Sequence, residues 1–225
     1  MKKLIFFLLV PVFGFFTSCD MHDDGYSLNE AWVGYGLVQK DSGSESVTIS
    51  MDDGELLFPS VDASLLDNFK NNDRVLINFT ILGNKENANH DEQYYVKINS
   101  IRKILYKGII ELSTIKADSI GNDPIRVDDN WVKKNMLNLE LRYVGGNKTH
   151  LINLVKTSVP VNGTDPVVLE LRHNANNDTG HFPLSAIVTF DLSTLKIPGK
   201  TSTKFKVTAK GFDGDDFEFS SEYKY

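Results

Sequence analysis

From Trp32 to the C terminus, apolar residues recur at every second position in short runs, and Gly, Asn and Asp break the runs before any helical spacing can develop. Alternation of that period sends successive side chains to opposite faces of an extended chain, so the pattern calls for half-buried strands and an all-β fold. Val75, Ile77, Phe79 and Ile81 form one such set, and Tyr94, Val96 and Ile98 another. Leu137, Leu139, Leu141 and Tyr143 alternate with Asn138, Glu140 and Arg142, and Ala186, Val188, Phe190 and Leu192 share a face in the same way. Val47 to Met51, then Asp52-Asp53-Gly54, then Leu56 to Pro59 read as a hairpin with an Asp-Gly turn. Gly34 and Gly36 inside the run from Trp32 to Val38 mark a bent or bulged strand. One stretch fits a helix, Asp62 to Asn71, with Asp62 as its cap and Leu65, Leu66 and Phe69 on one face.

Between Ser113 and Pro124 the alternation lapses into a polar segment containing Gly121 and Pro124, and the domain boundary is expected there. Residues 31–115 then form a first β-domain, 116–125 a linker, and 126–225 a second domain of six or so strands, which fits an antiparallel sandwich.

The N terminus carries a different signal. Lys2 and Lys3 precede an apolar run from Leu4 to Phe16, which as a helix would rise about 20 Å, short of the roughly 30 Å hydrocarbon core of a bilayer. That is the form of an export signal. Cys19, the one cysteine of the chain, follows Thr17-Ser18 and resembles the lipidated cysteine of a bacterial lipobox, with Phe16 where an aliphatic residue is commoner. The expectation is a signal peptide over 1–18, a diacylated Cys19 bearing palmitate-type chains, and an acidic tether over 19–30 that includes Asp20, Asp23 and Asp24. Several acyl chains on one residue give stable anchoring where a single chain does not. Acidic residues just behind such a cysteine resemble surface-export signals, so an outer-membrane location is expected, with surface exposure favoured over the periplasmic face.

A single cysteine excludes an intrachain disulfide framework and a CxxC zinc site. The whole chain sets 24 Lys+Arg against 30 Asp+Glu; removing Lys2 and Lys3 leaves 22 against 30, a balance of −8. Nucleic acid is therefore not an expected partner, because phosphate binding needs clustered cations. No GxSxG, HExxH, P-loop or dinucleotide glycine fingerprint occurs in the sequence, and neither a cofactor nor an enzymatic activity is expected.

Trp32-Val-Gly-Tyr-Gly36, Met51-Asp-Asp-Gly54, Asn72-Asp-Arg-Val-Leu-Ile-Asn-Phe79, Leu169-Glu-Leu-Arg-His-Asn-Ala-Asn-Asn177 and Val188-Thr-Phe-Asp-Leu192 together resemble the NigD-like bacterial lipoproteins. That resemblance implies an OB-like five-stranded barrel followed by an antiparallel β-sandwich, and a role in bacteriocin immunity or envelope protection. It carries over no functional residues.

Candidate binding residues come from chemistry alone. Trp32, Tyr94 and Tyr95, with Tyr35 and Tyr143, offer flat faces on which a glycan or peptide can stack, although most such rings belong to cores. Arg172 and His173 are read as a ligand-facing patch, set against a plain cross-strand ion pair between Arg172 and Asp191. His173, His181 and Asp178 have metal-binding chemistry, but a polar hairpin connection is the better reading, and no metal site is assigned. Asp213, Asp215 and Asp216 lack the ligand spacing of a calcium loop and read as a solvated turn. Asp118-Ser119-Ile120 resembles a bacterial O-glycosylation pattern at Ser119. The expected partners are a membrane, through lipid on Cys19, and a protein or glycan.

Overall fold

The computed structural model describes residues 25–40, 46–86, 92–111, 120–158 and 166–225. Cys19, Ser119, the signal segment and the first half of the tether, 19–24, lie outside the described residues. Within them, alternating runs become strands. β1 (Trp32–Lys40), β2 (Val47–Met51), β3 (Leu56–Val61), β4 (Arg74–Asn84) and β5 (Gln93–Lys103) close into a barrel in the order β1-β2-β3-β5-β4. Every pairing is antiparallel except β3 with β5, the strand order and single parallel junction of an OB-fold. The interior is filled by the inward phase of each run, with Val38, Ile49, Leu57, Val75, Ile77 and Val96 fully enclosed.

Gly34 and Gly36 have a packing reason. A Cβ on Gly34 would lie 2.6 Å from the movable end of Met51, Cε, whereas one on Gly36 would lie 2.7 Å from Ile49 Cγ2 and 2.9 Å from Ser50 O, so β1 crosses β2 most closely at Gly36. The expected helix over Asp62 to Asn71 is a correction: only one 3₁₀ turn forms, η1 (Ala63–Leu66). Asp62 adopts φ 58° and makes no side-chain cap bond, whereas a capping residue needs extended backbone and a bonded side chain, so the expected helix lacks its start. The turn plugs the barrel with Leu66, which is fully buried.

The second domain is built from β6 (Leu105–Gly108), β7 (Ile110–Glu111), β8 (Arg126–Lys133), β9 (Met136–Gly145), β10 (Leu151–Ser158), β11 (Val167–Asn174), β12 (Phe182–Asp191), β13 (Ser202–Ala209) and β14 (Phe217–Lys224). One sheet runs β14-β13-β11-β10-β7 and the other β6-β12-β9-β8. Leu137, Leu139, Leu154, Leu169, Phe190, Phe205 and Val207 fill the space between them. The sandwich is mixed where an antiparallel one is expected. β12 crosses to the opposite sheet between β11 and β13, which leaves those two strands parallel, with Val167 opposite Phe205.

The domain boundary also moves. Ile104 alone separates β5 from β6, and β6 pairs in parallel with β12 while β7 pairs in parallel with β10, so residues 105–111 belong to the sandwich. The described end of the polar lapse, 120–125, lies within the second domain. There, Asp123 N–H donates to His173 O and Ile125 N–H to Lys210 O as the chain passes the end of one sheet to reach β8 in the other. At the opposite edge Lys107 Nζ leaves β6 to donate to Ile152 O and Asn153 Oδ1 of β10, both at 3.0 Å. Burial lowers the pKa of that ammonium.

Candidate functional site

The aromatic candidates on the barrel divide. Trp32 and Tyr94 lie against the barrel core, Trp32 stacked on Phe79 and Tyr94 edge-on to Tyr26. Burial, reinforced by the nearby Tyr26 and Glu92, pushes the Tyr94 phenol up to about 12. Both rings are half-buried. Tyr95, next along β5, points to the other side of the strand and is 42% exposed. Phe58 of the paired β3 lies 6.2 Å from Tyr95, and Lys85 Nζ sits 3.3 Å above the centroid of the Phe58 ring. A cation over one ring and an open tyrosine beside it make the most ligand-like surface among the predicted residues.

Arg172 and His173 do not form one patch. Consecutive residues of a strand face opposite ways, and β11 turns His173 inward to 2% exposure while Arg172 lies on the outer face. Arg172 pairs with Glu170 at 2.7 Å, and the expected partner Asp191 lies on the other sheet, where it accepts from Asn135 and Ser193. His181 is exposed, and the partner of His173 is instead His150, with Nδ1 of His150 and Nε2 of His173 2.8 Å apart. Tyr143 packs its ring against both imidazoles, at 4.8 and 5.2 Å.

Asp178 completes this cluster. Its carboxylate accepts the backbone N–H groups of Gly180, Gly146 and Lys148 and faces His150 Nε2 at 3.3 Å. The amides of Gly180 and Gly146 hold its carboxyl well below the usual carboxylate range. Burial lowers the pKa of His173, partly offset by the Pro124 carbonyl that accepts from its ring. Among the described residues no group of three or more His, Cys, Asp or Glu is placed to hold a metal ion. Sequence reading notes Asp178 and His173 but misses His150, since nothing in the spacing reveals that β10 begins beside the end of β11.

The second missed cluster joins the domains. Arg74, at the start of β4, has no exposed surface, and its two terminal nitrogens donate to the carboxylate of Asp52. Nη2 also donates to Asn138 Oδ1 of β9 at 3.1 Å, and that oxygen accepts again from Thr189 Oγ1 of β12 at 2.8 Å. Tyr35 of β1 lies 5.6 Å from the guanidinium and 5.3 Å from Trp131 of β8. The β2–β3 turn meets the β8–β9 turn beside it, through Lys133 on Asp53 at 2.6 Å and Lys134 Nζ on Met51 O at 3.3 Å.

A closed OB-type barrel running directly into a two-sheet sandwich defines a two-domain class, and the comparisons agree with it. The NigD-like N-terminal OB domain matches residues 35–104, and the NigD-like C-terminal beta sandwich domain matches residues 108–223. The chain belongs to the NigD-like family. It is similar to a solved structure from Parabacteroides distasonis ATCC 8503 described as toxin related, at 29% identity and TM-score 0.69, over 87% of this chain and 94% of that one. A NigD-like immunity protein from Bacteroides caccae ATCC 43185 shares the fold at 20% identity and TM-score 0.66, over 88% of this chain and 99% of that one. A protein from Bacteroides fragilis NCTC 9343 described as a lipoprotein shares it at 16% identity and TM-score 0.61, over 87% and 98%. No curated protein matches the chain.

Proposed function

We propose that this chain is a non-enzymatic, lipid-anchored interaction module of the bacterial outer membrane, held by Cys19, whose role is immunity to a bacteriocin or protection of the envelope. The observation that carries the reading is the Arg74 junction, which fastens the barrel to the sandwich through a buried guanidinium shared by Asp52 and Asn138. A buried, multiply bonded charge makes one body of two domains, and such a body presents a partner with a surface of fixed geometry. Membership of the NigD-like family and the fold shared with an immunity protein support the choice of role. The test is survival of bacteriocin-sensitive cells expressing the full chain, its Cys19→Ala form or its Arg74→Ala form. Protection by the first alone supports an anchored, two-domain module. Equal survival of all three, at the level of cells without the chain, removes the immunity reading.

A second reading rests on the Tyr95 surface: a cell-surface carbohydrate- or peptide-binding protein, with the ligand stacked on Tyr95 beside Phe58 and Lys85. A glycan and peptide array with the wild-type and Tyr95→Ala chains distinguishes it. Binding that disappears with the ring supports it, and a flat wild-type array dismisses it.

A further inference from the structure

The contacts of His150 and His173 count protons. Pro124 O can only accept, so His173 Nδ1, 3.0 Å from it, carries a hydrogen. The next contact joins His150 Nδ1 to His173 Nε2 at 2.8 Å, and the last sets His150 Nε2 against the Asp178 carboxylate at 3.3 Å. Three contacts in series need three N–H hydrogens, whereas two neutral imidazoles hold two. Asp178 does not supply the third, because the amides of Gly180, Gly146 and Lys148 already donate to its oxygens and favour its charged form. Any neutral arrangement of the pair leaves two lone pairs facing each other, inside a shell where His150 and Asp178 side chains are 3% and 4% exposed.

Backbone closes that shell. A Cβ on Gly145 would lie 2.6 Å from His150 Nε2, and one on Gly180 would lie 2.3 Å from Gly146 Cα, so no side chain fits there. The other polar groups around the pair are accounted for. Tyr143 of β9 presents its ring. Lys148 of the β9–β10 turn donates its ammonium to the carbonyls of Asn176 and Asn177. Asp123 of the 120–125 connection acts on His173 from a carboxylate that accepts from Ala175 N–H.

We propose that His150 and His173 form a site for one proton, shared as Asp178 carboxylate, His150 imidazolium and neutral His173, which latches the β9–β10 turn to the β11–β12 loop and the 120–125 connection. The site makes the latch responsive to pH on both sides of neutrality. In the unfolded chain both histidines titrate near the ordinary value of about 6.5. Above it the unfolded pair holds no proton and the folded pair one, so stability falls as pH rises; below it the unfolded pair holds two and the folded pair one, so stability falls as pH drops. The latch is therefore tightest near about pH 6.5.

The direct test is nitrogen-15 NMR of the histidine rings in the full chain at pH 7.5. Among the signals of the five histidines, the expected spectrum holds one ring protonated at both nitrogens, assigned to His150 by its loss in His150→Gln, and a neutral Nδ1–H ring assigned to His173. A spectrum in which none of the five rings is protonated at both nitrogens overturns the proposal, and the wild-type spectrum decides this even where a variant does not fold. The second readout is urea unfolding against pH. One proton on the site raises the wild-type unfolding constant about tenfold per pH unit above about 6.5, and His150→Gln abolishes that rise. A wild-type constant that is flat over this alkaline range overturns the latch.

Discussion

Both terminal nitrogens of Arg74 donate to the carboxylate of Asp52, at 2.5 and 2.6 Å, and no part of the arginine reaches the surface. A pair enclosed in this way resists the loss of one member far more than the loss of both. Arg74→Met alone leaves Asp52 charged and bare, and is expected to cost about 3–5 kcal/mol, whereas Arg74→Met with Asp52→Leu returns stability to within about 1 kcal/mol of wild type or above it. Urea unfolding of the four proteins of the double-mutant cycle measures the coupling. Single costs that simply add would show that the two side chains do not act as a pair.

The two glycines of β1 differ in what they meet. The Cβ of Gly34→Ala would press on the mobile end of Met51, which can swing aside, but that of Gly36→Ala would press on Ile49 Cγ2 and on the backbone oxygen of Ser50 at 2.9 Å. Gly36→Ala is expected to cost about 1–3 kcal/mol and Gly34→Ala less than half of that. Thermal melts of the two variants check the order, and the reverse order would contradict the packing described for β1 and β2.

Adjacent tyrosines of β5 separate stability from surface chemistry. Tyr94→Ala removes a ring packed on Tyr26 and the barrel core, and is expected to cost about 2–3 kcal/mol. Tyr95→Ala removes an exposed ring and is expected to stay within about 0.5 kcal/mol of wild type. Chemical denaturation resolves a difference of that size.

Acid weakens the sandwich through Asp191. Burial favours its neutral form, but the hydroxyl and N–H of Ser193 and the amide of Asn135 outweigh burial and lower its pKa. A carboxylate depressed in the fold stabilises above its unfolded value, about 3.9, and that contribution disappears as pH falls through the lower folded value. Asp73 acts in the same direction, since hydrogen bonds from Lys103 and the Lys70 amide outweigh its burial. Asp191→Asn is expected to lower stability at neutral pH and to flatten its decline between about pH 5 and pH 2. Urea midpoints across that range supply the check.

Alternation within single strands was legible: β4, β5, β9, β11 and β12 follow from it, as does the hairpin at Asp52 to Gly54. Contacts made by docking were not. Arg74 and Asn138 take the polar phase of their strands, opposite Val75 and Leu137, and read as solvated residues until the other domain covers them. His150 was hidden for a related reason, because its neighbour is set by which strand ends lie together. The shift of the boundary to Ile104 has a similar origin. Polar composition marks a loop, and whether that loop lies between domains or inside one depends on pairings with β10 and β12 that come much later in the chain.

Ile104 is the one residue between the last barrel strand and the first sandwich strand, and its N–H is bound to Arg74 O at 2.8 Å. The two halves look like modules, yet they are not exchangeable. A chimera taking its barrel from one relative and its sandwich from another would need both an acceptor where Asn138 meets the guanidinium and a turn that fits against Asp53, within a crossing that has no slack to absorb a mismatch. A change on one side of the seam is therefore expected to need a matching change on the other.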